Sequence, residues 1–187
     1  MFGVRDDDPD AAQRGAMEAA KRLIYAGLNS AVSQLPCGVG GVLVDERYGM
    51  PVIEAARSDG VVLAVPVERS GREWFEPEWG RDWQAHIAGI LPDFAKVLVR
   101  DNPAFPRELR HRQFSSLRQV SDVLGELGVP LLHELLVPAT EGQLTAAGGD
   151  VGAYDRDIRP RLLRSADVSL AWCQDPVPDV QERVPEW

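Results

Sequence analysis

The sequence predicts an α/β protein built on parallel strands, and two observations support this. Four short segments, at 41–45, 61–67, 94–99 and 130–137, are largely apolar on both faces. Segments with helical periodicity and the length of a crossover connection separate them. Strands of this kind that alternate with helices are typical of a parallel sheet covered by helices. The alternation fits both a closed barrel and an open, doubly wound sheet.

The first predicted helix covers residues 10–34. Asp10 suits its N-cap position. Leu23, Ile24 and Leu28 fall on one face at three- and four-residue steps, which is the pattern of a core-facing helix. We therefore expect this face to be buried.

The second long helix is predicted at about 106–127. Pro106 suits its first turn and Gly128 the position just past its end. Shorter helical segments are predicted at 51–57, 83–91 and 154–164.

Composition limits the class of protein. The chain has 187 residues, of which 44% are hydrophobic and 26% charged, as expected for one globular domain with a core. The formal charge of −9 disfavours nucleic acid and anionic lipid as partners. There is no apolar run long enough to span a bilayer, and residues 5–8 are charged where a signal peptide would be basic and then apolar. A cytoplasmic protein with no membrane partner is expected.

The chain divides into two parts by pattern. Residues 1–164 carry the alternating strands and helices, whereas 165–187 form an irregular tail interrupted by Pro176, Pro178 and Pro185. Within this tail only a short strand at about 168–172 is suggested. The predicted sheet therefore has four to five strands.

Lys96 is the residue that most suggests chemistry. It is one of only two lysines, the other being Lys21. On a strand it shares a face with Arg100, opposite an all-apolar face, and Glu134 is the natural partner for its charge. Burial would lower the pKa of such an amine and make it a useful base, nucleophile or electrostatic partner. The alternative is a buried Lys96–Glu134 ion pair with no catalytic duty.

Other charges lie where parallel strands end, which is where functional groups collect in such folds. Asp45 could bind a sugar hydroxyl, or simply cap a helix. Glu68 and Arg69 could bind substrate, with Arg69 on a phosphate, or belong to an exposed loop. Arg100 ends the third strand.

Two further groups of residues predict no ligand site. Aromatic residues cluster at 74–83, where sealing a core or an interface is a more common role than stacking on a sugar. His86, His111 and His133 have no metal-ligand spacing. We predict neither a metal nor a cofactor.

Five motifs together resemble one known family. They are VLVDERYG at 42–49, PVERSG at 66–71, DFAKVLVR at 93–100, HELLVP at 133–138 and YDRDIRP at 154–160. In order and spacing they are similar to the 2-deoxy-5-keto-gluconate 6-phosphate aldolase-like domain of bacterial inositol catabolism, a distant relative of tagatose bisphosphate aldolase. The resemblance covers roughly residues 1–164.

The resemblance implies a TIM-type (β/α) barrel and a metal-independent, class I carbon–carbon lyase that cleaves a phosphorylated keto-sugar acid. Lys96, Glu134 and Asp45 match its catalytic positions, with Arg100, Glu68 and Arg69 as substrate-binding residues. The alternative is a non-catalytic domain, derived from the same barrel, that binds a sugar phosphate or another protein.

The chain also departs from the family pattern. It starts just after the place of the family's first strand, and the stretch at 178–184, where the relatives carry their Schiff-base lysine, contains no lysine. About 250 residues are typical of a complete barrel, so an incomplete barrel is expected. Three states stay open: a truncated or frameshifted product, a half-barrel completed by a homo-oligomeric or other partner, and a chain that has lost catalysis. The resemblance thus makes Lys96 a supporting site lysine.

Overall fold

The computed structural model describes residues 9–36 and 39–164, and it confirms the predicted α/β class. Four parallel strands form one sheet in the order β1-β2-β3-β4. The predicted tail, 165–187, and the strand suggested within it lie outside the described residues. The elements are α1 Ala11–Val32, β1 Gly41–Leu43, α2 Glu46–Asp59, β2 Val62–Pro66, α3 Trp83–Ile90, β3 Phe94–Arg100, α4 Arg107–Leu127, β4 Leu131–Leu136, α5 Glu141–Ala146, α6 Val151–Ala153, a π-helical turn Tyr154–Ile158 and α7 Arg159–Arg164.

Neighbouring strands of the sheet are consecutive in the chain, and all run in the same direction. A doubly wound sheet would show a reversal of strand order at its switch point. The four described strands contain no such reversal, so this order is consistent with a segment of a (β/α) barrel.

The hydrophobic core lies between one face of the sheet and the helices. Ala95, Val97 and Val99 of β3 are at most 1% exposed and belong to one core cluster with Leu117 and Leu124 of α4. The prediction that this face of β3 meets the helices is confirmed. Lys96 therefore lies on the opposite face of the sheet.

Local signals place the ends of the two long helices as predicted. The Asp10 carboxylate accepts a hydrogen bond from the Gln13 amide at 2.8 Å, and the Gln13 side chain accepts one from the Asp10 amide at 2.9 Å. This reciprocal capping box fixes the first turn of α1. Gly128 ends α4 in the left-handed region, with a φ of 67°.

The prediction that the apolar face of α1 is buried is wrong for Leu23 and Ile24. Leu23 and Ile24 are 75% and 71% exposed, whereas Tyr25 is only 6% exposed. The reason is that α1 packs on α2, and the Tyr25 hydroxyl donates a 2.8 Å hydrogen bond to Asp59 at the end of α2. The rotation of the helix is set by that contact.

Helix α2 begins earlier than predicted, at Glu46 instead of near Pro51. The Asp45 carboxylate caps it by accepting from the Tyr48 amide at 2.9 Å. Gly49 permits the close approach of this first turn to the strand, because a Cβ there would lie 2.3 Å from the Val44 side chain. Pro51 is accommodated inside the helix.

Helix α5 lies in a region for which the sequence analysis predicted no helix. Thr140 accepts from the Gln143 amide at 3.3 Å, and the Gln143 side chain accepts from the Thr140 amide at 3.0 Å. This T-x-x-Q pattern is a recognisable helix start, and it could have predicted the helix.

The face of the sheet opposite the helices carries exposed apolar side chains. Leu43, Leu132 and Leu136 are 51%, 47% and 39% exposed.

Within residues 9–36 and 39–164, no helix combines the length and apolar character that a membrane crossing requires.

The contact between Tyr25 and Asp59 predicts a pH-dependent stability. Burial and the Asp59 carboxylate raise the pKa of Tyr25 to about 12. Because the pKa is raised on folding, the contact stabilises the protein below about pH 10, the ordinary tyrosine pKa, and is lost as the pH rises towards 12. We expect Tyr25→Phe to lower the free energy of unfolding by about 1–2 kcal/mol at pH 8.

Urea unfolding at several pH values would measure this difference. The gap between wild type and Tyr25→Phe should narrow above pH 10, whereas Tyr48→Phe should keep the wild-type pH dependence. A gap that is constant up to the pKa of about 12 would contradict the assignment.

Candidate active site

Lys96 stands between two carboxylates. Its Nζ lies 2.7 Å from Glu68 Oε1 and 2.9 Å from Glu134 Oε2, and its side chain is only 8% exposed. The predicted pairing with Glu134 is confirmed. The pairing with Glu68 was not predicted, although both residues were candidates for the site.

Strand register explains why these three side chains meet. Lys96 pairs with Pro66 on one side, and Glu68 lies two residues beyond Pro66. On the other side Leu98 pairs with Glu134. Since alternate residues of a strand share a face, Glu68, Lys96 and Glu134 all point away from the helices.

The expectation that the pKa of Lys96 is lowered is wrong, although burial acts in the predicted direction. Burial does oppose the charged form, but the hydrogen bonds and charges of Glu68 and Glu134 outweigh it and raise the pKa above 10.5. Lys96 is therefore an ammonium at neutral pH. It can donate hydrogen bonds and stabilise negative charge, and it must lose a proton before it can act as a nucleophile.

The two carboxylates differ in their access to solvent. Glu68 is 13% exposed, and its Oε2 is buried with no hydrogen-bond partner among the described residues, whereas Glu134 is 49% exposed. Glu68 is thus the inner anchor of the ammonium. Glu134 is the outer, more exposed partner of the ammonium.

A cleft of about 450 Å³ opens beside Lys96 at the carboxyl ends of β1 and β2. Asp45 lines it and also receives an ion pair from Lys21 of α1. The predicted helix cap is confirmed, because Asp45 caps α2. Asp45 also faces the cleft, and its contact with a sugar hydroxyl stays a prediction. The charged side chains that line the cleft are Lys21, Asp45, Glu46, Arg47, Glu68, Arg69, Glu78 and Lys96.

A smaller cavity of about 170 Å³ lies on the other side of Glu68, Arg69 and Lys96. Arg100, the last residue of β3, lines it. The structure therefore brings Lys96 together with all three residues predicted to bind substrate. Asp45 lies only in the larger cleft, and Glu134 reaches the site through Lys96.

Trp79 lines the larger cleft and is held by a stacking contact. Trp79 and His86 stack with ring centroids 4.2 Å apart, and His86 Nδ1 lies 2.7 Å from Glu46. Trp83, by contrast, is in the core at 9% exposure. The aromatic cluster thus seals the core, as predicted, and also forms one side of the cleft.

Several charged residues that line the cavities were not predicted as site residues, among them Lys21, Arg47 and Arg72. Lys21 lies on a helix far from the strand ends in sequence, so no spacing rule connects it to the cleft. Arg72 follows Glu68 and Arg69 in the same loop, and this proximity was an available signal. Among the described residues, no group of three or more His, Cys, Asp or Glu side chains is arranged to hold a metal ion.

The fold and site define an α/β protein with a parallel sheet whose carboxyl edge carries a buried lysine, two carboxylates and a cleft. A family model described as "Uncharacterized protein conserved in bacteria (DUF2090)" matches residues 6–153, so the chain belongs to this family. A search of curated proteins found no match.

Titration of Lys96 would test the unequal roles of its two partners. We expect Glu68→Gln to lower the pKa of Lys96 more than Glu134→Gln, because Glu68 is closer and less exposed. Protein labelled with ¹³C at lysine Cε would give two signals, and Lys21 would serve as an internal reference. The opposite order of the two shifts would contradict this account.

Proposed function

We propose that the chain is an aldolase-like lyase domain that cleaves a phosphorylated keto-sugar acid. The observation that carries the proposal is the ammonium of Lys96, held by two carboxylates and facing a cleft at the carboxyl edge of a parallel sheet. Active sites of parallel (β/α) folds are built at this edge. The role in carbohydrate and inositol catabolism comes from the resemblance of the five motifs.

The proposal includes a TIM-type (β/α) barrel, of which the described strands form a part. Consecutive strand order and the polar residues on the non-helical face support it. A barrel interior is lined by one face of every strand, and Lys96, Glu134 and Arg100 lie on that face.

In the proposed reaction Lys96 acts in its charged form. The ammonium donates to the carbonyl oxygen of the ketose and stabilises the negative charge that develops there when the carbon–carbon bond breaks. Glu134 takes the proton of the hydroxyl group on the departing fragment, which leaves as an aldehyde, and returns that proton to the carbon of the enolate. Glu68 holds the ammonium in place throughout.

Ligand binding is assigned to the remaining candidates. Asp45 offers a carboxylate to a sugar hydroxyl in the larger cleft. Arg69 and Arg100 supply positive charge for the anionic end of the substrate.

The second candidate is a non-catalytic sugar-phosphate-binding domain. The raised pKa of Lys96 favours it over Schiff-base chemistry, because a protonated amine is not a nucleophile. In this reading the same charges bind a ligand without cleaving it.

Reduction with borohydride in the presence of a ketose phosphate would distinguish a lyase from a binding domain. The purified protein is incubated with ketose phosphates at neutral pH, reduced, and analysed by mass spectrometry for adducts and by product assay for aldehyde release. We expect aldehyde release without an adduct on Lys96, because its ammonium stays protonated. An adduct on the Lys96 peptide would make Lys96 the nucleophile, and ligand binding without release would favour the binding domain.

Substitution of Lys96 would test its catalytic role. Lys96→Met leaves Glu68 buried without its partner, so we expect a loss of about 3 kcal/mol in the free energy of unfolding and no aldehyde release. Lys96→Met combined with Glu68→Gln removes both charges and should restore most of the stability but not the activity. Aldehyde release by the double variant would exclude Lys96 from catalysis.

The oligomeric state of the protein and its location in the cell stay predictions. Leu43 on β1 and Leu132 and Leu136 on β4 are exposed apolar side chains at the two edges of the sheet, which supports the predicted homo-oligomer or complementing barrel half. The cytoplasmic location is likewise part of the proposal.

A further inference from the structure

The two cavities beside Lys96 differ in charge, although they are neighbours. They share Glu68, Arg69, Ser70 and Lys96. The larger cleft is lined by four basic and four acidic side chains, whereas the smaller cavity is lined by four basic and two acidic side chains. The basic residues of the smaller cavity are Arg69, Arg72, Lys96 and Arg100.

This excess of positive charge contrasts with the formal charge of −9 of the whole chain. A local excess of basic groups within an acidic protein raises the local concentration of small anions while the rest of the surface repels them. Arginine is suited to phosphate because its planar guanidinium can donate two parallel hydrogen bonds.

The sizes of the cavities also suggest a division of roles. Sites for whole small molecules usually occupy about 300–1,000 Å³. The larger cleft, at about 450 Å³, falls in this range, whereas the smaller cavity, at about 170 Å³, suits a single group of a ligand.

The loop that forms the smaller cavity is fastened to the rest of the fold at several points. The Arg100 guanidinium donates to the Arg72 carbonyl at 2.8 Å. The buried Gln113 side chain accepts from the Phe75 amide at 3.0 Å and donates to the Arg100 carbonyl at 3.0 Å. Trp74 packs edge-on against Phe105. These contacts hold the cavity in place without a ligand.

The side chain of Arg72 lines the smaller cavity and is 43% exposed. Its Nε lies 3.4 Å from Glu76 in an ion pair that is itself half exposed. Exposed ion pairs of this kind are weak, so a phosphate dianion can compete with Glu76 for the guanidinium.

We propose that the smaller cavity is a subsite for a phosphate monoester, bound by Arg69, Arg72 and Arg100. The hydroxylated carbon chain of the same ligand lies in the larger cleft, and Lys96 stands at the junction between the two. The inference rests on the proposed function for the class of substrate, and it adds Arg72 and the orientation of the ligand. A phosphate in the smaller cavity directs the adjoining carbon atoms towards Lys96.

The test uses glycerol 3-phosphate as the smallest ligand that could occupy both cavities. Glycerol and glycerate serve as probes without phosphate, and glycerate retains a carboxylate. Binding is measured by NMR at low salt in a phosphate-free buffer, with the labelled Cε of Lys96 as reporter. We expect glycerol 3-phosphate to shift this signal and to bind at least tenfold more tightly than glycerate or glycerol.

Substitutions of single arginines test which side chains bind the phosphate group. Arg72→Gln and Arg100→Gln should each weaken binding of glycerol 3-phosphate about tenfold or more. Arg72→Gln keeps the carbonyl that anchors the loop, so it tests the side chain alone. Arg118→Gln, on the exposed side of α4, is the matched control and should bind like wild type.

The outcomes separate this inference from the proposed function. Glycerate that binds as tightly as glycerol 3-phosphate, affinity that is unchanged in Arg72→Gln and Arg100→Gln, or a wild-type protein that binds no phosphate ester would overturn the subsite. Phosphate binding that depends on Arg72, in a protein that releases no aldehyde from any ketose phosphate, would support the subsite and count against the lyase.

Discussion

The ammonium of Lys96 is the constraint on which the site depends. A lysine that is 8% exposed is tolerated only with charged partners, and the parallel register supplies Glu68 from one neighbouring strand end and Glu134 from the other neighbouring strand. The ion pairs therefore tie β2, β3 and β4 together on the face opposite the helices. They also keep the amine charged, which favours electrostatic roles over nucleophilic ones.

The loop after β2 converts this ion pair into a shaped site. It turns back on itself through a bridge between Glu68 and Pro77, and Arg100 and Gln113 hold it against β3 and α4. Glu68 lies at the start of this loop, so the residue that begins the loop also holds the Lys96 ammonium. Two cavities of different size and charge result on either side of Glu68.

Much of the fold could be predicted from local patterns. The four strands followed from apolar segments, and the ends of α1 and α4 from Asp10 and Gly128. The exposed face of α1 could not be predicted, because the hydrogen bond between Tyr25 and Asp59 joins residues that no local pattern relates. For the site, the alternation of side chains along β3 placed Lys96 on the correct face. The direction of its pKa shift could not be predicted, because it depends on a second carboxylate, Glu68, which only the register between β2 and β3 brings beside Lys96.

The sequence by itself determined the α/β class, the strands, the residues that share a face of β3, and the set of charged candidates at strand ends. These features depend on the period of two in strands and on capping groups, which act over a few residues. Only the tertiary structure decided which carboxylates hold Lys96, that Lys21 faces Asp45, and that Arg72 joins Arg69 and Arg100 in one cavity. Those contacts depend on the register between strands and on loop packing, and neither is encoded in local periodicity.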